Sequence, residues 1–204
     1  RCPRTPPRTM PAVLSPSANL AHVTFAPLGE PDLPLLHGWL NAPHVVAGYS
    51  RVSTTREDVA AKYAPKITGE VPVRGFVASV VDHPIGYVQV YRVADFPDYA
   101  AMVADFDDAV AIDVLIGEVE YTRRGLGPRV IAAAVAEIVW PSFAAARCIA
   151  TPRADNTASL RAFGKAGFAL VRTIRTADGV PEVLMERRRA PLAADDEPAT
   201  DRRT

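Results

Sequence analysis

The chain has 204 residues, with 23 lysines and arginines balanced by 23 aspartates and glutamates. This length fits one domain of α/β size with a substantial core. The balanced charge gives no global field that would favour nucleic acid or a membrane surface, and no apolar stretch reaches the length of a membrane span or a signal-peptide core. We therefore expect a cytoplasmic monomer or homodimer that has neither a nucleic-acid nor a membrane partner.

The positions of the cysteines and histidines favour neither a disulfide nor a metal site. Cys2 lies in a tail, and Cys148 lies in an apolar, strand-like run, where a buried, inert thiol is expected. The four histidines are scattered, and none has a partner at the spacing that metal ligands require. No metal site is predicted.

Both ends of the chain are predicted to be disordered. Residues 1–20 are rich in Pro, Ser, Thr and Arg without periodicity, and residues 189–204 are polar and rich in Pro and Ala. The folded domain is therefore expected over residues 21–188. Met10 is an alternative start position, which sequence alone does not decide.

The first half of the domain is predicted as a strand, two helices and a hairpin. Thr54 or Thr55 can cap the second helix, since an acidic residue follows in its first turn. The hairpin is expected to turn at Asp82-His83-Pro84. The predicted elements, in order, are a strand at 22–27, helices at 30–40 and 54–67, and strands at 73–81 and 85–93.

An acidic region follows the hairpin. Residues 94–110 are predicted to form a long irregular insertion, and such insertions are often functional. Between Arg92 and Arg123 there are eight acids and no basic residue. A charge run is usually a solvated face, but this one could attract a polycationic substrate. The eight acids are Asp95, Asp98, Asp105, Asp107, Asp108, Asp113, Glu118 and Glu120.

Residues 112–130 have the order strand, basic glycine loop and helix. The first amides of a helix lack intrahelical partners and lie at the positive end of its dipole, so they favour an anion. Gly125 and Gly127 let the backbone approach a ligand closely. Three arginines add positive charge, namely Arg123, Arg124 and Arg129. A pyrophosphate is the expected ligand of this loop, although a helix start with a tight turn explains the glycines equally well.

The last part of the domain is predicted as a strand, a helix and a second hairpin. The strand covers residues 147–150, and Asp155-Asn156 caps a helix that ends at Gly167. Residues 168–175 and 180–186 form the hairpin around Ala177-Asp178-Gly179.

This order of elements resembles the GNAT superfamily of acetyl-CoA-dependent N-acetyltransferases, and the local sequence resembles its aminoglycoside 6′-N-acetyltransferases. The similarity covers roughly residues 23–187. It rests on residues 37–41, 84–91, 99–100, 112–113, 116–121, 125–127, 156 and 165–168. The resemblance implies an α/β (α+β) fold in which a mixed central sheet of about six to seven strands is flanked by about four helices.

The resemblance also implies a site for acetyl-CoA (coenzyme A). Residues 124–129 would wrap its pyrophosphate with backbone amides, and residues 115–117 would pair with its pantetheine arm and polarise the thioester carbonyl. Asn156 would contact the same arm, although a helix cap explains it equally well. The predicted cofactor-binding residues are Leu115, Ile116, Gly117, Arg123, Arg124, Gly125, Leu126, Gly127, Pro128, Arg129 and Asn156.

Asp113 matches an aspartate that touches the substrate amine in the aminoglycoside enzymes. An amine is protonated at neutral pH and must lose a proton before it attacks a thioester, so a carboxylate there can act as the catalytic base. The alternative is an aspartate that faces solvent. Tyr87, Gln89 and Tyr91 fall on one strand face. The predicted substrate-binding residues are Tyr87, Gln89, Tyr91, Asp95, Asp98 and Asp113.

Three positions depart from the family pattern. Thr122 replaces a phosphate-binding Gln or Arg, Phe163 replaces a tyrosine that can protonate the leaving thiolate, and Gly48-Tyr49 with Val114 replace residues near the acceptor. The expected activity is direct acetyl transfer to the 6′ amine of an aminoglycoside, or secondarily the 2′ amine, for resistance or self-protection. The alternatives are a lysine or hydroxylamine acyltransferase of siderophore synthesis and a non-catalytic coenzyme A-binding module.

Overall fold

A mixed sheet of seven strands, in the order β1-β2-β3-β4-β5-β7-β6, organises the computed structural model, which describes residues 22–190. The β4–β5 pair is parallel and the other neighbouring pairs are antiparallel. The predicted sheet is confirmed, while the predictions for residues 1–20 and 191–204 lie outside the described residues. The strands are β1 Val23–Pro27, β2 Arg74–Val80, β3 His83–Arg92, β4 Val110–Ile116, β5 Arg147–Ala150, β6 Ala169–Arg175 and β7 Pro181–Arg188.

The helices are α1 Leu33–Leu40, α2 Pro43–Val45, α3 Arg56–Thr68, α4 Pro97–Val103, α5 Leu126–Ala134, α6 Trp140–Ser142 and α7 Thr157–Lys165. In the described chain, four of them have eight residues or more, as expected: α1, α3, α5 and α7. One π turn, Val46–Ser50, continues α2, and another, Val135–Val139, joins α5 to α6. No helix between residues 22 and 190 is long and apolar enough to cross a membrane.

The prediction of an irregular insertion at residues 94–110 is wrong for residues 94–103 and confirmed for residues 104–109. A short 3-10 helix, Val93–Asp95, is followed there by α4, which has Pro97 in its first turn. Val103 is completely buried, and Tyr99 packs against the same apolar cluster. The segment is therefore fixed against the sheet by one apolar helix face.

The structure settles the N-cap of α3 and shifts the turn of the β2–β3 hairpin. Thr55 rather than Thr54 caps α3, because its Oγ1 accepts a hydrogen bond from the Asp58 amide at 3.1 Å. The hairpin turns on Val81 and Asp82, both of which have positive φ. His83 therefore belongs to β3, and its ring stacks on Tyr121 at 5.6 Å between ring centroids.

The sheet buries apolar side chains on both faces, and this alternation sets the position of the site. Ile112 of β4 belongs to a cluster with Val130 of α5 and other residues of that helix. Leu115 belongs to a cluster on the other face, with Trp39 of α1 and other residues of α1 and α3. Because successive side chains of a strand alternate between faces, Asp113 lies on the face covered by α1 and α3.

Cys148 is fully buried in β5 as a free thiol, as expected. Burial raises the pKa of this thiol, so it stays protonated and unreactive. Cys2 lies outside the described residues. Within residues 22–190, no group of three or more His, Cys, Asp or Glu residues could hold a metal ion.

Candidate active site

A cavity of about 810 Å³ opens where β4 and β5 separate. The two strands pair only at Val110 with Cys148 and Ala111 with Ile149. Beyond these pairs, residues 112–116 line one side of the cavity and residues 150–153 line the other. The β4 edge has no strand partner there, so its backbone groups need a ligand, a side chain or water as hydrogen-bond partners.

Alternate residues of β4 present their amides to this opening. The Gly117 amide donates to the Ile85 carbonyl at 2.8 Å. In an antiparallel pair every second residue forms hydrogen bonds with the same neighbouring strand, so Leu115, two residues earlier and opposite Tyr87, also faces β3 with its amide. Leu115 and Gly117 therefore direct their amides to β3, and Val114 and Ile116 direct theirs to the opening. The amides of Leu115 and Gly117 are thus used within the sheet, and cofactor binding by residues 115–117 stays a prediction.

His44 occupies part of this open edge, which the sequence analysis missed. Its Nε2 donates to the Ile116 carbonyl at 2.9 Å, and its side chain lines the cavity. The two residues are 72 positions apart, so no local spacing could have indicated the contact. The hydrogen bond fixes the proton of a neutral His44 ring on Nε2.

Asp113 is partly buried and lines the cavity. Gln89 Nε2 donates to Asp113 Oδ2 at 2.7 Å. Burial raises the pKa of Asp113, whereas the Gln89 hydrogen bond and the positive charges of Lys66 and Lys62 lower it, and the net direction is upward. A carboxylate with a raised pKa accepts a proton more readily, as a catalytic base requires.

Asp113→Asn is expected to stabilise the fold at neutral pH. The pKa of Asp113 is higher in the folded protein than in the unfolded chain, so folding favours the protonated carboxyl. The contribution of Asp113 to the free energy of unfolding is therefore fully present below the pKa of the unfolded chain. It is lost as the pH rises through the pKa of the folded protein. The Tm advantage of the Asn variant should therefore be small near pH 3 and reach about 2–4 °C near pH 8. Thermal melts across this range measure it, and a pH-independent difference would contradict the assignment.

Gln89 is oriented by two donors from neighbouring elements. Lys66 Nζ donates to Gln89 Oε1 at 2.8 Å, and the Tyr87 hydroxyl donates to the same oxygen at 3.1 Å. Both contacts leave the amide NH₂ group to face Asp113. Burial and the neighbouring Lys62 lower the pKa of Lys66 to about 8.

The predicted substrate contacts on β3 lie behind Asp113 instead of on the cavity wall. Tyr87 is 1% exposed, and among the described residues neither it nor Gln89 nor Tyr91 lines the cavity. Direct contact of these three residues with a substrate stays a prediction. Tyr49 and Tyr63 line the cavity in their place. Burial, and then the charge of Asp113, raises the pKa of Tyr63 to about 12 and that of Tyr49 well above 10, so both hydroxyls remain protonated.

Of the eight acids between Arg92 and Arg123, Asp113 alone lines this cavity. Glu118 accepts a hydrogen bond from Trp39 Nε1 at 2.8 Å. Asp95 borders a separate depression of about 390 Å³, and Asp98 is exposed in the first turn of α4. Neither residue lines the cavity, and substrate binding by Asp95 and Asp98 stays a prediction. Glu182 of β7, which the sequence analysis missed, lines the cavity instead.

The glycine loop forms the opposite end of the cavity. Gly125 has a φ of 73° and is the N-cap of α5, whose first-turn amides have no intrahelical partners. Gly125 and Gly127 line the cavity together with Arg123 and Pro128. Thr122 donates its hydroxyl to the Val119 carbonyl at 2.7 Å, within its own turn.

The charge around this loop comes partly from residues that the prediction did not include. The side chain of Leu126 is 1% exposed in the core, and Arg124 and Arg129 are exposed outside the described cavity lining. Binding of the cofactor by residues 124, 126 and 129, chiefly through backbone amides, stays a prediction. Arg161 and Lys165 of α7 line the cavity instead, and their i, i+4 spacing, which puts both on one helix face, was the signal in the sequence.

Asn156 caps α7, because its Oδ1 accepts a hydrogen bond from the Ser159 amide at 3.0 Å. Its Nδ2 donates to the Gly48 carbonyl at 2.8 Å. The predicted cap is confirmed, and the side chain also ties α7 to the π turn that carries Tyr49. A contact between Asn156 and a cofactor stays a prediction.

Phe163 lines the cavity from α7 and is largely buried. Its ring packs edge-on against Phe168, with 5.1 Å between the ring centroids. It contributes an apolar surface to the cavity wall. A phenylalanine carries no exchangeable proton, so position 163 cannot serve as a general acid.

Comparison with protein families gives one match over most of the chain. The sequence profile described as an acetyltransferase (GNAT) domain matches residues 29–176. Aminoglycoside N(6′)-acetyltransferase type 1 from Klebsiella pneumoniae is 29% identical over 171 residues, which is 82% of this chain and 84% of that protein. A protein of the same name from Serratia marcescens matches to the same extent.

Solved structures give the same picture. Aminoglycoside acetyltransferase AAC(6′)-Ib in complex with coenzyme A and kanamycin superposes with a TM-score of 0.74 at 29% identity, covering 82% of this chain and 95% of the other. A structure of AAC(6′)-Ib that contains acetyl-CoA and an aminoglycoside also gives a TM-score of 0.74 at 29% identity, covering 82% and 93% of the two chains. The described fold is thus shared along nearly the full length of these proteins.

Proposed function

The chain belongs to the GNAT acetyltransferase family, and from this we propose that it transfers the acetyl group of acetyl-CoA to the 6′ amine of an aminoglycoside. Its similarity to aminoglycoside N(6′)-acetyltransferases along most of both chains supports this acceptor. The observation that carries the proposal is the position of Asp113, a carboxylate with a raised pKa beside the open edge of β4. Acetylation removes a positive charge from the drug, which would provide resistance or self-protection.

The basic end of the cavity fits the phosphates of coenzyme A. The first-turn amides of α5 would bind an anion there, and Arg123, Arg161 and Lys165 add positive charge to the same cavity as the glycine loop. The amides of Val114 and Ile116 would pair with the pantetheine arm and polarise the thioester carbonyl. When bound, acetyl-CoA supplies an activated acyl group.

At the acidic end, Asp113 binds the acceptor ammonium and receives its proton. The freed amine nitrogen forms a bond to the acetyl carbon while the carbon–sulfur bond breaks, and the electron pair leaves with the sulfur. The nitrogen then loses its second proton to solvent, which leaves a neutral amide. Gln89 donates to one carboxylate oxygen of Asp113 at 2.7 Å and so fixes the orientation of the carboxylate. Phe163 provides no proton for the leaving thiolate, so water or another group of the cavity supplies it, or the thiolate leaves unaided.

The function is tested by following thiol release from acetyl-CoA with a panel of aminoglycosides. Drugs with a 6′ amine are expected to drive release, and matched drugs with a 6′ hydroxyl are not. Coenzyme A binding without any aminoglycoside-dependent release would instead identify a non-catalytic binding module.

Arg161→Ala combined with Lys165→Ala is expected to raise the KM for acetyl-CoA by about ten-fold or more, because both cations border the proposed phosphate site. The KM for the aminoglycoside should change by less than about two-fold. Steady-state kinetics at low and high salt measure both values, and the difference between variant and wild type should shrink as salt increases.

Arg124→Ala is the matched control, since Arg124 is exposed outside the described cavity lining. Its expected effect on the KM for acetyl-CoA is below about two-fold. A larger effect from Arg124→Ala than from the double variant would reverse the assignment of the phosphate-binding residues.

A further inference from the structure

Three polar side chains lie on one face of three neighbouring strands, at the point where the cavity begins. Three apolar residues on β4, β5 and β7 are buried in one cluster: Ala111, Ile149 and Leu184. Side chains alternate between the two faces along each strand, so the residue two positions nearer the cavity on each of these strands lies on the same face. These residues are Asp113, Thr151 and Glu182, and all three line the cavity.

Glu182 is held in place by a chain of hydroxyl groups. The Thr151 side chain forms a hydrogen bond with the Glu182 carboxylate. The Thr151 hydroxyl in turn lies 3.4 Å from the hydroxyl of Tyr99, which packs on the sheet from α4. The carboxylate therefore has polar neighbours at the cavity wall.

The two carboxylates of the cavity interact electrostatically. Burial raises the pKa of Glu182, and the negative charge of Asp113 raises it further, while Thr151 and Arg153 oppose this. Two like charges that lie on one cavity wall are stabilised together by a cation with more than one positive centre.

No side chain of the described chain forms an ion pair with Glu182 that would neutralise it. The guanidinium of Arg153 donates to Asp155 through Nε at 3.2 Å and through Nη2 at 3.4 Å. Arg153 is thus engaged with a surface acid at the cavity rim, and the Glu182 carboxylate remains available to a ligand.

We propose that Glu182 binds a second ammonium group of the acceptor while Asp113 receives the reacting amine. The inference rests on the proposed function. Glu182 lies two strands away from Asp113, and at a strand spacing of about 4.8 Å the two backbones are at least about 10 Å apart. This distance suits an acceptor that carries amines on different rings, so the enzyme should prefer polyamine acceptors to monoamine sugars.

Glu182→Gln removes the charge and preserves the size of the side chain. The KM for an aminoglycoside with amines on several rings is expected to rise by about ten-fold or more, while kcat and the KM for acetyl-CoA change by less than about two-fold. With 6-amino-6-deoxyglucose, a monoamine sugar, kcat/KM should match that of the wild type. Glu137→Gln, at an exposed position after α5, is the charge-matched control and should leave every parameter unchanged.

An unchanged aminoglycoside KM in Glu182→Gln would overturn the inference and leave the proposed function intact. An equal loss with the aminoglycoside and the monoamine sugar would also overturn it, since Glu182 would then serve folding or the chemical step. If the wild type shows no aminoglycoside-dependent turnover, the proposed function fails separately. Calorimetry then decides the inference, which predicts about ten-fold weaker aminoglycoside binding in Glu182→Gln and is overturned by equal binding.

Thr151→Val provides a second variant that keeps the shape of the cavity wall. It removes the hydroxyl that hydrogen-bonds to Glu182, so the aminoglycoside KM should rise by about three-fold with kcat unchanged. No change in this KM would count against the inference.

Discussion

Asp113→Asn is expected to lower kcat by about 100-fold or more while the Kd of coenzyme A changes by less than about two-fold. The carboxylate is the only acid of the 93–122 region that lines the described cavity, and its raised pKa suits proton transfer from an ammonium. The amide of asparagine keeps the shape of the side chain but accepts no proton at neutral pH. Steady-state thiol release gives kcat, and calorimetry gives the coenzyme A affinity.

The expected split between kcat and coenzyme A affinity follows from the separation of the two ends of the cavity. Asp113 lies on the face covered by α1 and α3, whereas the proposed phosphate contacts come from the start of α5 and from α7. Near-normal turnover in Asp113→Asn would remove Asp113 from the mechanism. Loss of coenzyme A binding together with activity would show that the substitution had altered the whole cavity.

Gly117→Ala is expected to destabilise the fold by about 3 kcal/mol. A Cβ at position 117 would lie 2.0 Å from Cγ of Trp39. The indole cannot move away easily, because it is 4% exposed and its Nε1 donates to Glu118 at 2.8 Å. Since Gly117 follows β4 directly, relief of the clash would displace the strand end that lines the cavity. Chemical denaturation measures the loss, and the KM for acetyl-CoA should rise with it.

Gly38→Ala is the matched control for this substitution. No atom lies within 4 Å of a Cβ at Gly38, which is exposed in α1. Alanine favours a helix over glycine, so this variant should gain up to about 1 kcal/mol. If Gly117→Ala were as stable as the wild type, the packing of Trp39 against the end of β4 would be wrong.

The order of elements could be predicted because each has a local signal. The apolar, β-branched sequence of β3 and the Thr55 cap of α3 are properties of a few neighbouring residues. The missed helix α4 shows the limit of such signals. It has seven residues, and its apolar face is completed only by contact with distant strands through Val103 and Tyr99.

Site residues could be predicted only where the neighbouring sequence alone makes them stand out. Asp113 is conspicuous because it interrupts an apolar strand, and Gly125 because a loop precedes a helix. Glu182 carries no such signal, since β7 lies between β5 and β6 and reaches the cavity only through that strand order. The choice of Val114 over Leu115 as an amide donor likewise depends on the β3–β4 register.

The most direct test of the account is the structure of the product formed from acetyl-CoA and a 6′-amino aminoglycoside. Mass spectrometry is expected to show one added acetyl group, and NMR is expected to place it on the 6′ nitrogen. Asp113→Asn should yield little of this product in the same time. An acetyl group on another amine would contradict the assigned acceptor position, and the absence of any acetylated product would contradict the proposed function.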